Sequence, residues 1–318
     1  MEHILSVKKL ISTEKFIVPP SALAADNHLN VSVVFATRGR ADILESAIKS
    51  IKNQTFKAYE IIVSCVSSED HGNILHGNGC HVIYGKAGLP AQRNSALKYV
   101  SPFTDIIVFF DDDFIAHEAW LEEIVHLFHR YHDIDVITGT VIADGIHGVG
   151  YTEQEALAYI KKHPYSKLIH PIAKHSYSPY GCNMAFRFKS IAGLKFDERL
   201  VLYGWQEDRD FGSQVATRGG QLVKSSRALG VHMGVKKSRT PGKRLGYSQV
   251  VNPAYMFRKG TMPLLTVLKH VTGNVLSNFF RSIYPESYVD RIGRLKGNII
   301  GFKDLIRGKL TPERAEEL

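Results

Sequence analysis

Short apolar runs alternate with amphipathic segments along the first two-thirds of the chain, and this alternation limits the fold more than any other feature. "VSVVFA" (31–36) precedes a helical pattern from Asp42 to Lys52. "YEIIVSC" (59–65), a Gly-rich turn and "HVIYG" (81–85) follow, then a helical stretch from Pro90 to Tyr99 and "DIIVFF" (105–110). Read in order this is β-α-β-β-α-β, which predicts a largely parallel sheet with helices on both faces. In open sheets of this kind ligands sit beyond the carboxyl ends of the strands. The last of these runs ends in three consecutive carboxylates, Asp111, Asp112 and Asp113.

The chain has 318 residues, 44% of them hydrophobic, enough for a sizeable core in one large domain or two modest ones. No apolar run approaches the ~18–20 residues that span a bilayer, so no transmembrane helix is expected. The opening "MEHILSVKKLISTEKFIVPP" lacks the apolar centre and cleavage site of a secretory signal and reads as an extra N-terminal element over 1–30. Three cysteines, Cys65, Cys80 and Cys182, without CxxC spacing fit a reduced compartment, with the cytoplasm as the expected location.

The net charge of +9 is unevenly placed. Met1 to Met233 carries 24 Lys and Arg against 25 Asp and Glu, whereas Gly234 to Leu318 carries 16 against 6. Within that basic part, "PLLTVLKHVTGNVLSNFFRSIY" sets Leu264, Leu268, Val271, Val275 and Phe279 at helical spacing, and Leu265, Leu276, Phe280 and Ile283 widen the apolar face. Such a helix packs against its own domain, lies in an anionic membrane interface, or serves nucleic acid. No zinc-finger spacing, RNP-like motif or helix-turn-helix pattern supports the last.

The triplet admits a plain reading and a chemical one. Asp113 could cap a helix expected from about Ile115 to Tyr131. Three adjacent like charges nevertheless repel unless solvent, a donor or a cation compensates. Residues at i and i+2 of an extended turn can face one side, so Asp111 and Asp113 could share a Mg²⁺ or Mn²⁺ that keeps positions open for phosphate.

Five motifs in order carry a resemblance: "VSVVFATRGRADILESAIKSIKNQTFKAYEIIV", "GLPAQRNSAL", "VFFDDDF", and, within "GCNMAFRFKSIAGLKFDERLVLYGWQEDRDFGSQVATRGG", both the "FDE" turn and the "ED" pair. Over roughly residues 31 to 235 the chain resembles the family 2 inverting glycosyltransferases of GT-A fold, of the bacterial polysaccharide-assembling kind. The resemblance implies an α/β fold with a Rossmann-like mixed sheet flanked by helices, followed by a basic helical C-terminal region. It implies a catalytic domain over 31–235, with a nucleotide-binding half at 31–113 and an acceptor-binding half at 114–235, and a basic loop and helices over 236–318.

Carried over residue by residue, the resemblance makes Asp208 of the Glu-Asp pair the catalytic base. It assigns Asp113, with Asp111 beside it and His232 from "LGVHMG", to Mn²⁺ or Mg²⁺, and leaves Asp112 for a ribose or sugar hydroxyl. Thr37, Arg38, Arg40 and Arg93 fall to the donor. Trp205, Glu207 and Asn183 fall to the acceptor. Lys236, Lys237 and Arg239 belong to a loop able to close over the diphosphate. Each has a plain alternative: a core tryptophan, a capping carboxylate, a structural histidine, an ion pair, an exposed loop. One departure is clear. Cys65 and Val66 stand in the donor site where the family commonly has a base-binding Asp-Asp, so Glu69, Asp70 or backbone groups would have to read the nucleobase.

The expected activity is transfer of a sugar from a nucleotide-diphosphate sugar to the hydroxyl of a saccharide acceptor, lipid-linked in such members, in exopolysaccharide, capsule or O-antigen assembly. Such enzymes work at the inner face of the cytoplasmic membrane, which would make the C-terminus a peripheral membrane contact. Two other classes stand beside this: a sugar-phosphate nucleotidyltransferase, whose Gly-rich phosphate loop "ATRGRAD" does not supply, and a non-catalytic nucleotide-sugar-binding module.

Overall fold

The structure is a computed structural model that describes residues 29–73, 79–164, 173–174, 178–237 and 240–318. The N-terminal element expected over 1–30 lies almost wholly outside the described residues. Four parallel strands, β1 (Val31–Ala36), β2 (Glu60–Cys65), β3 (Cys80–Tyr84) and β4 (Ile106–Asp111), lie in the spatial order β3-β2-β1-β4. Helices α1 (Ala41–Lys52) and α2 (Leu89–Leu97) connect them as the alternation predicts. Both faces of β1, β2 and β4 are covered, so their apolar runs are continuous, whereas β3 at the sheet edge exposes His81 and Tyr84. Val33, Phe35, Val63 and Phe110 enter one core with Leu44 and Ile48 of α1. Val34, Ile62, Ile107 and Phe109 enter the other with Ala96 of α2.

Past β4 the sheet becomes mixed. β8 (Asn183–Arg187) runs antiparallel to β4 and to β6 (Ile134–Asp144), β9 (Gln221–His232) runs parallel to β6, and β5 (Phe114–Ala116) pairs antiparallel with β9. β7 (Ala173–Lys174) also pairs with β9. The helix expected from Ile115 starts later than the sequence suggested. Phe114 and Ile115 are drawn into β5 by pairing with His232 and Val231, and α3 runs only from Trp120 to Arg130. Asp113 therefore caps no helix. α4 (Glu153–Lys162) opens on a capping box between Thr152 and Glu155, and α5 (Glu207–Thr217) follows a tight turn. In that turn Leu202 and Gln206 take positive φ, an uncommon conformation for residues with a Cβ.

The basic C-terminal region forms α6 (Gly242–Lys259), α7 (Leu264–Arg281) and α8 (Arg291–Ile306). α6 and α8 touch backbone to backbone: a Cβ on Gly246 would lie 2.0 Å from the Arg294 carbonyl oxygen, and one on Gly297 2.0 Å from that of Lys243. A buried polar chain ties in α7, with the Asn278 amide donating to Gln249 Oε1 and Asn298 Oδ1. The helix read at 264–283 is present, but most of its large apolar residues do not pack inward. Val267 and Asn278 are buried, while Leu264, Leu265 and Leu268 face outward. Among the described residues no helix is long and apolar enough to cross a membrane.

The helix contact sets the first prediction. Gly297→Val forces α8 away from α6, and overpacking of this kind costs about 1–3 kcal/mol. A thermal melt should show a lowered midpoint, and an unchanged midpoint would mean that the contact is not tight.

Candidate active site

The site gathers where β4, β9 and the start of α5 meet. β4 lies between β1 and β8, so its end delivers the three aspartates to the carboxyl edge of the sheet. They point in different directions. Asp112 is fully buried, accepts a hydrogen bond from Thr37 Oγ1 at 2.7 Å and pairs with Arg40 at 2.8 Å. Burial pushes its carboxyl up to about 7, against the lowering by Arg40. Asp113 accepts from the Val235 backbone N–H at 2.8 Å and lies 3.3 Å from His232 Nε2. Although burial works against it, His232, Arg40 and that N–H hold Asp113 well below the usual carboxylate range. Asp111 pairs with Arg93 at 3.0 Å.

His232 ends β9, and its Nδ1 lies 3.0 Å from Asp144 Oδ1. Asp144 in turn accepts from the Tyr180 hydroxyl at 2.8 Å. This orders the ring, directing Nε2 at Asp113. Burial lowers the pKa of His232, but the charge and hydrogen bond of Asp113 and the bond to Asp144 overcome it and raise it to about 10. Ligand atoms of Asp111, Asp113 and His232 lie within 4.8 Å of one another. Two carboxylates and an imidazole held by a third carboxylate, that of Asp144, fit a divalent cation, and the nitrogen favours Mn²⁺ over Mg²⁺. A cation bound there takes the place of the imidazole proton.

The other half of the site is built on α5. The Asp208 carboxylate accepts from the Gly181 N–H at 2.8 Å and from the Arg209 N–H at 2.7 Å, near the positive end of the helix dipole. Burial still raises its pKa above the ordinary aspartate value, against those two bonds. Glu207 pairs with Arg93, and its Oε2 is buried without a hydrogen-bond partner. Burial, with Asp208 and Asp111 nearby, pushes Glu207 up to about 8 despite Arg93. Arg93 therefore joins the halves: one fully buried guanidinium contacts Asp111, Glu207 and, at 2.8 Å, the carbonyl of Gly181.

Residues 32–194 match the family model described as glycosyl transferase family 2, just over half of the chain. The chain belongs to that family. No curated protein sequence matches it. Among solved structures, TarS 1–349 from S. aureus is similar at 16% identity and TM-score 0.53, over 91% of this chain and 83% of that one. A mannosyltransferase from Pyrobaculum calidifontis, in complex with GDP-Man and Mn²⁺, is similar at 14% identity and TM-score 0.55, over 91% and 85%. Glucosyl-3-phosphoglycerate synthase from Mycobacterium tuberculosis, in complex with Mg²⁺ and UDP, shares 19% identity at TM-score 0.50, over 74% and 80%. The mixed sheet and its flanking helices are a GT-A fold.

In this glycosyltransferase several residues expected at the substrates are engaged elsewhere. Asp112, expected on a hydroxyl, holds Thr37 and Arg40 within the protein, so Arg40 is an internal ion-pair partner and Thr37 a buried donor. Cys65, expected at the donor, lies in the core beneath the sheet edge, where burial pushes its thiol up to about 12. Asn183, expected at the acceptor, is fully buried, with its Oδ1 accepting the Gly139 N–H at 2.7 Å. Asp70, weighed as a base-reader, accepts the backbone N–H groups of Gly39, Val66 and Ser67 and so knots two loops together. Lys236 donates to the Gly145 carbonyl at 2.9 Å, while exposed Lys237 reaches Asp42 at 3.2 Å. Arg38 is exposed at the turn after β1. Trp205 is half-buried, edge-on to His270. Arg239 lies outside the described residues.

Asp144 and Tyr180 are functional candidates that sequence reasoning missed. Asp144 had a signal, since it ends the apolar run "VITGTVIAD" as Asp111 ends its own, whereas Tyr180 had none. Losing the Asp144 carboxylate should loosen the ring of His232. Asp144→Asn is expected to weaken Mn²⁺ binding by about 10–100-fold in calorimetric titration, and unchanged affinity would separate Asp144 from the candidate metal site.

Proposed function

We propose that this enzyme is an inverting, metal-dependent glycosyltransferase that moves a sugar from a nucleoside-diphosphate sugar to a saccharide hydroxyl in bacterial exopolysaccharide, capsule or O-antigen assembly. One observation carries the reading: a single buried arginine, Arg93, spans from the cation cluster at Asp111 to the acid pair that opens α5. Direct displacement needs counter-charge for the leaving diphosphate on one side of the sugar and a base on the other. The chain offers both within the reach of one side chain.

Asp208 is the base in this reading. Its half-buried carboxylate takes the acceptor proton as the acceptor oxygen bonds to the anomeric carbon and the bond from that carbon to the diphosphate oxygen breaks. A Mn²⁺ or Mg²⁺ held by Asp111, Asp113 and His232 supplies Lewis-acid stabilisation of the leaving nucleoside diphosphate. The Gly181 and Arg209 N–H groups orient Asp208 without neutralising it. In this reading Glu207 turns its Oε2, buried without a partner, toward the bound acceptor and donates to it while it keeps its proton. Arg38, exposed beyond β1, Lys237 and Arg239 are the remaining cations proposed for the donor phosphates, and Trp205 is the proposed face for the acceptor sugar. The nucleotides and ions bound by the similar structures, GDP-Man with Mn²⁺ and UDP with Mg²⁺, support this donor class. A lipid-linked acceptor belongs to the same proposal.

Two experiments test it. Asp208→Asn should leave donor binding intact while cutting transfer by about 10²–10⁴-fold, read as nucleoside diphosphate released in the presence of Mn²⁺. Asp113→Ala or EDTA should instead abolish metal-dependent donor binding. Normal transfer by Asp208→Asn removes Asp208 from the base role, and pyrophosphate as the product sinks the transferase reading. The pH profile has a predicted sign on each limb. Asp208 must be ionised, so the rate falls as pH drops through its raised pKa. Glu207 acts protonated, so the rate also falls as pH rises through about 8. Glu207→Gln, which stays neutral, should keep the acid limb and flatten the alkaline one.

A further inference from the structure

The outer face of the C-terminal helices has no account in the chemistry above. On α7 the side chains of Leu265, Leu268, Leu276, Phe279 and Phe280 are all exposed, Leu265 at 82% and Phe280 at 62%. At about 100° per residue they fall within an arc of about 120°, on the side away from buried Val267 and Asn278. α8 repeats the arrangement, with Ile292, Ile299, Phe302 and Ile306 exposed, Ile306 at 86%. Apolar side chains gathered on a water-facing surface mark a contact surface rather than chance exposure.

Charge selects the occupant. Between Phe257 and Leu310 the chain carries ten Lys and Arg against three Asp and Glu. All three acids are engaged within the protein: Glu286 with Arg281 and Arg291, Asp304 with Arg314 and Tyr247, and Asp290 with the Gly293 N–H at the start of α8. Lys269, Lys296 and Lys303 are exposed on the same two helices, and Arg307 is exposed at the end of α8, beside the apolar residues. A second copy of this face would set cations against cations, which opposes self-pairing. A nucleic acid would match the charge and leave the leucines and phenylalanines in water. An anionic bilayer matches both, since its headgroups attract the cations and its acyl boundary takes the apolar side chains.

We infer that the outward faces of α7 and α8 dock this protein on the surface of an anionic phospholipid bilayer, as a peripheral contact that does not span it. The docking helix also adjoins the catalytic domain. His270 of α7 meets Trp205 edge to face at 5.9 Å, and Asn252 of α6 donates to the Trp205 carbonyl at 3.0 Å. Trp205 lies two residues before Glu207. Docking through α7 thus brings the acceptor side of the site toward the bilayer, which rests on the proposed function for its meaning though not for its test.

The test is co-sedimentation of the full chain with vesicles, without donor or acceptor. Vesicles of phosphatidylcholine with phosphatidylglycerol should bind the protein roughly tenfold or more tightly than phosphatidylcholine alone, and salt should weaken the binding. Leu265→Glu combined with Phe280→Glu should abolish vesicle binding while leaving the thermal midpoint and the transfer of sugar to a soluble acceptor unchanged. Protein that stays in the supernatant with anionic vesicles overturns the inference, as does equal binding by the double variant. A dimer in sedimentation velocity that the double variant breaks also overturns it, by assigning the face to a second copy. Because binding is read without turnover, a failed glycosyltransferase assay leaves this result interpretable.

Discussion

The guanidinium of Arg93 is the interaction on which the site depends. A fully buried cation carries a desolvation penalty of several kcal/mol unless its donors are matched, and here they meet Asp111, Glu207 and the Gly181 carbonyl. The rings of Phe109 and Phe196 lie 5.7 and 5.5 Å from it and add cation–π attraction. A lysine could not do the same work, because one ammonium cannot reach three acceptors in a plane. The same contacts fix geometry. β4, the 178–183 turn and α5 come from distant parts of the chain, and Arg93 holds one group from each. Gly181 continues the link, accepting from Arg93 through its carbonyl oxygen and donating to Asp208 through its N–H.

The three aspartates follow from the same logic of compensation. Crowded carboxylates persist only when counter-charge compensates them, and each has a different principal partner: Arg93 for Asp111, Arg40 with Thr37 for Asp112, and His232 with the Val235 N–H for Asp113, to which Arg40 also reaches at 3.6 Å. Asp112 is thereby spent on structure, tying the end of β4 to the turn after β1. Its two neighbours are left facing His232, as suits an extended turn whose alternate side chains share a side.

How much of this was legible in the sequence depends on the range of the interaction. β1 to β4 and α1 were readable because their apolar patterns are local and strong, and α2 from its place in the alternation. The late start of α3 was not, because pairing with β9, more than a hundred residues away, overrides the helical pattern of Ile115 onward. Asp111, Asp113, His232, Glu207 and Asp208 were readable as candidates through the motifs that carry the family resemblance. The fates of Asp112, Asn183 and Cys65 were not, since whether a polar side chain at a strand end turns to solvent or into the protein is decided by partners such as Arg40 and Gly139. Asp70 shows the limit most clearly: its carboxylate satisfies backbone N–H groups of two loops, a use that no residue pattern announces.

The C-terminal helices illustrate a different kind of ambiguity. Periodicity reports that a helix has an apolar side, and it is silent on whether that side meets protein or something else. Here the inward side of α7 carries Val267 and, in its last turn, Asn278, which is bonded to Gln249, Asn298 and Arg291. Buried amides of this sort give little net stability but are costly to leave unmatched, so they fix which way the helix faces. Rotating α7 to bury Leu265 and Phe280 would break that chain and expose its unsatisfied partners to an apolar interface. Close contact of α6 with α8 at Gly246 and Gly297 removes any space into which α7 could sink. The outward orientation of the leucines and phenylalanines is thus enforced by the polar interior of the helical unit, and it leaves their apolar surface for a partner outside the chain.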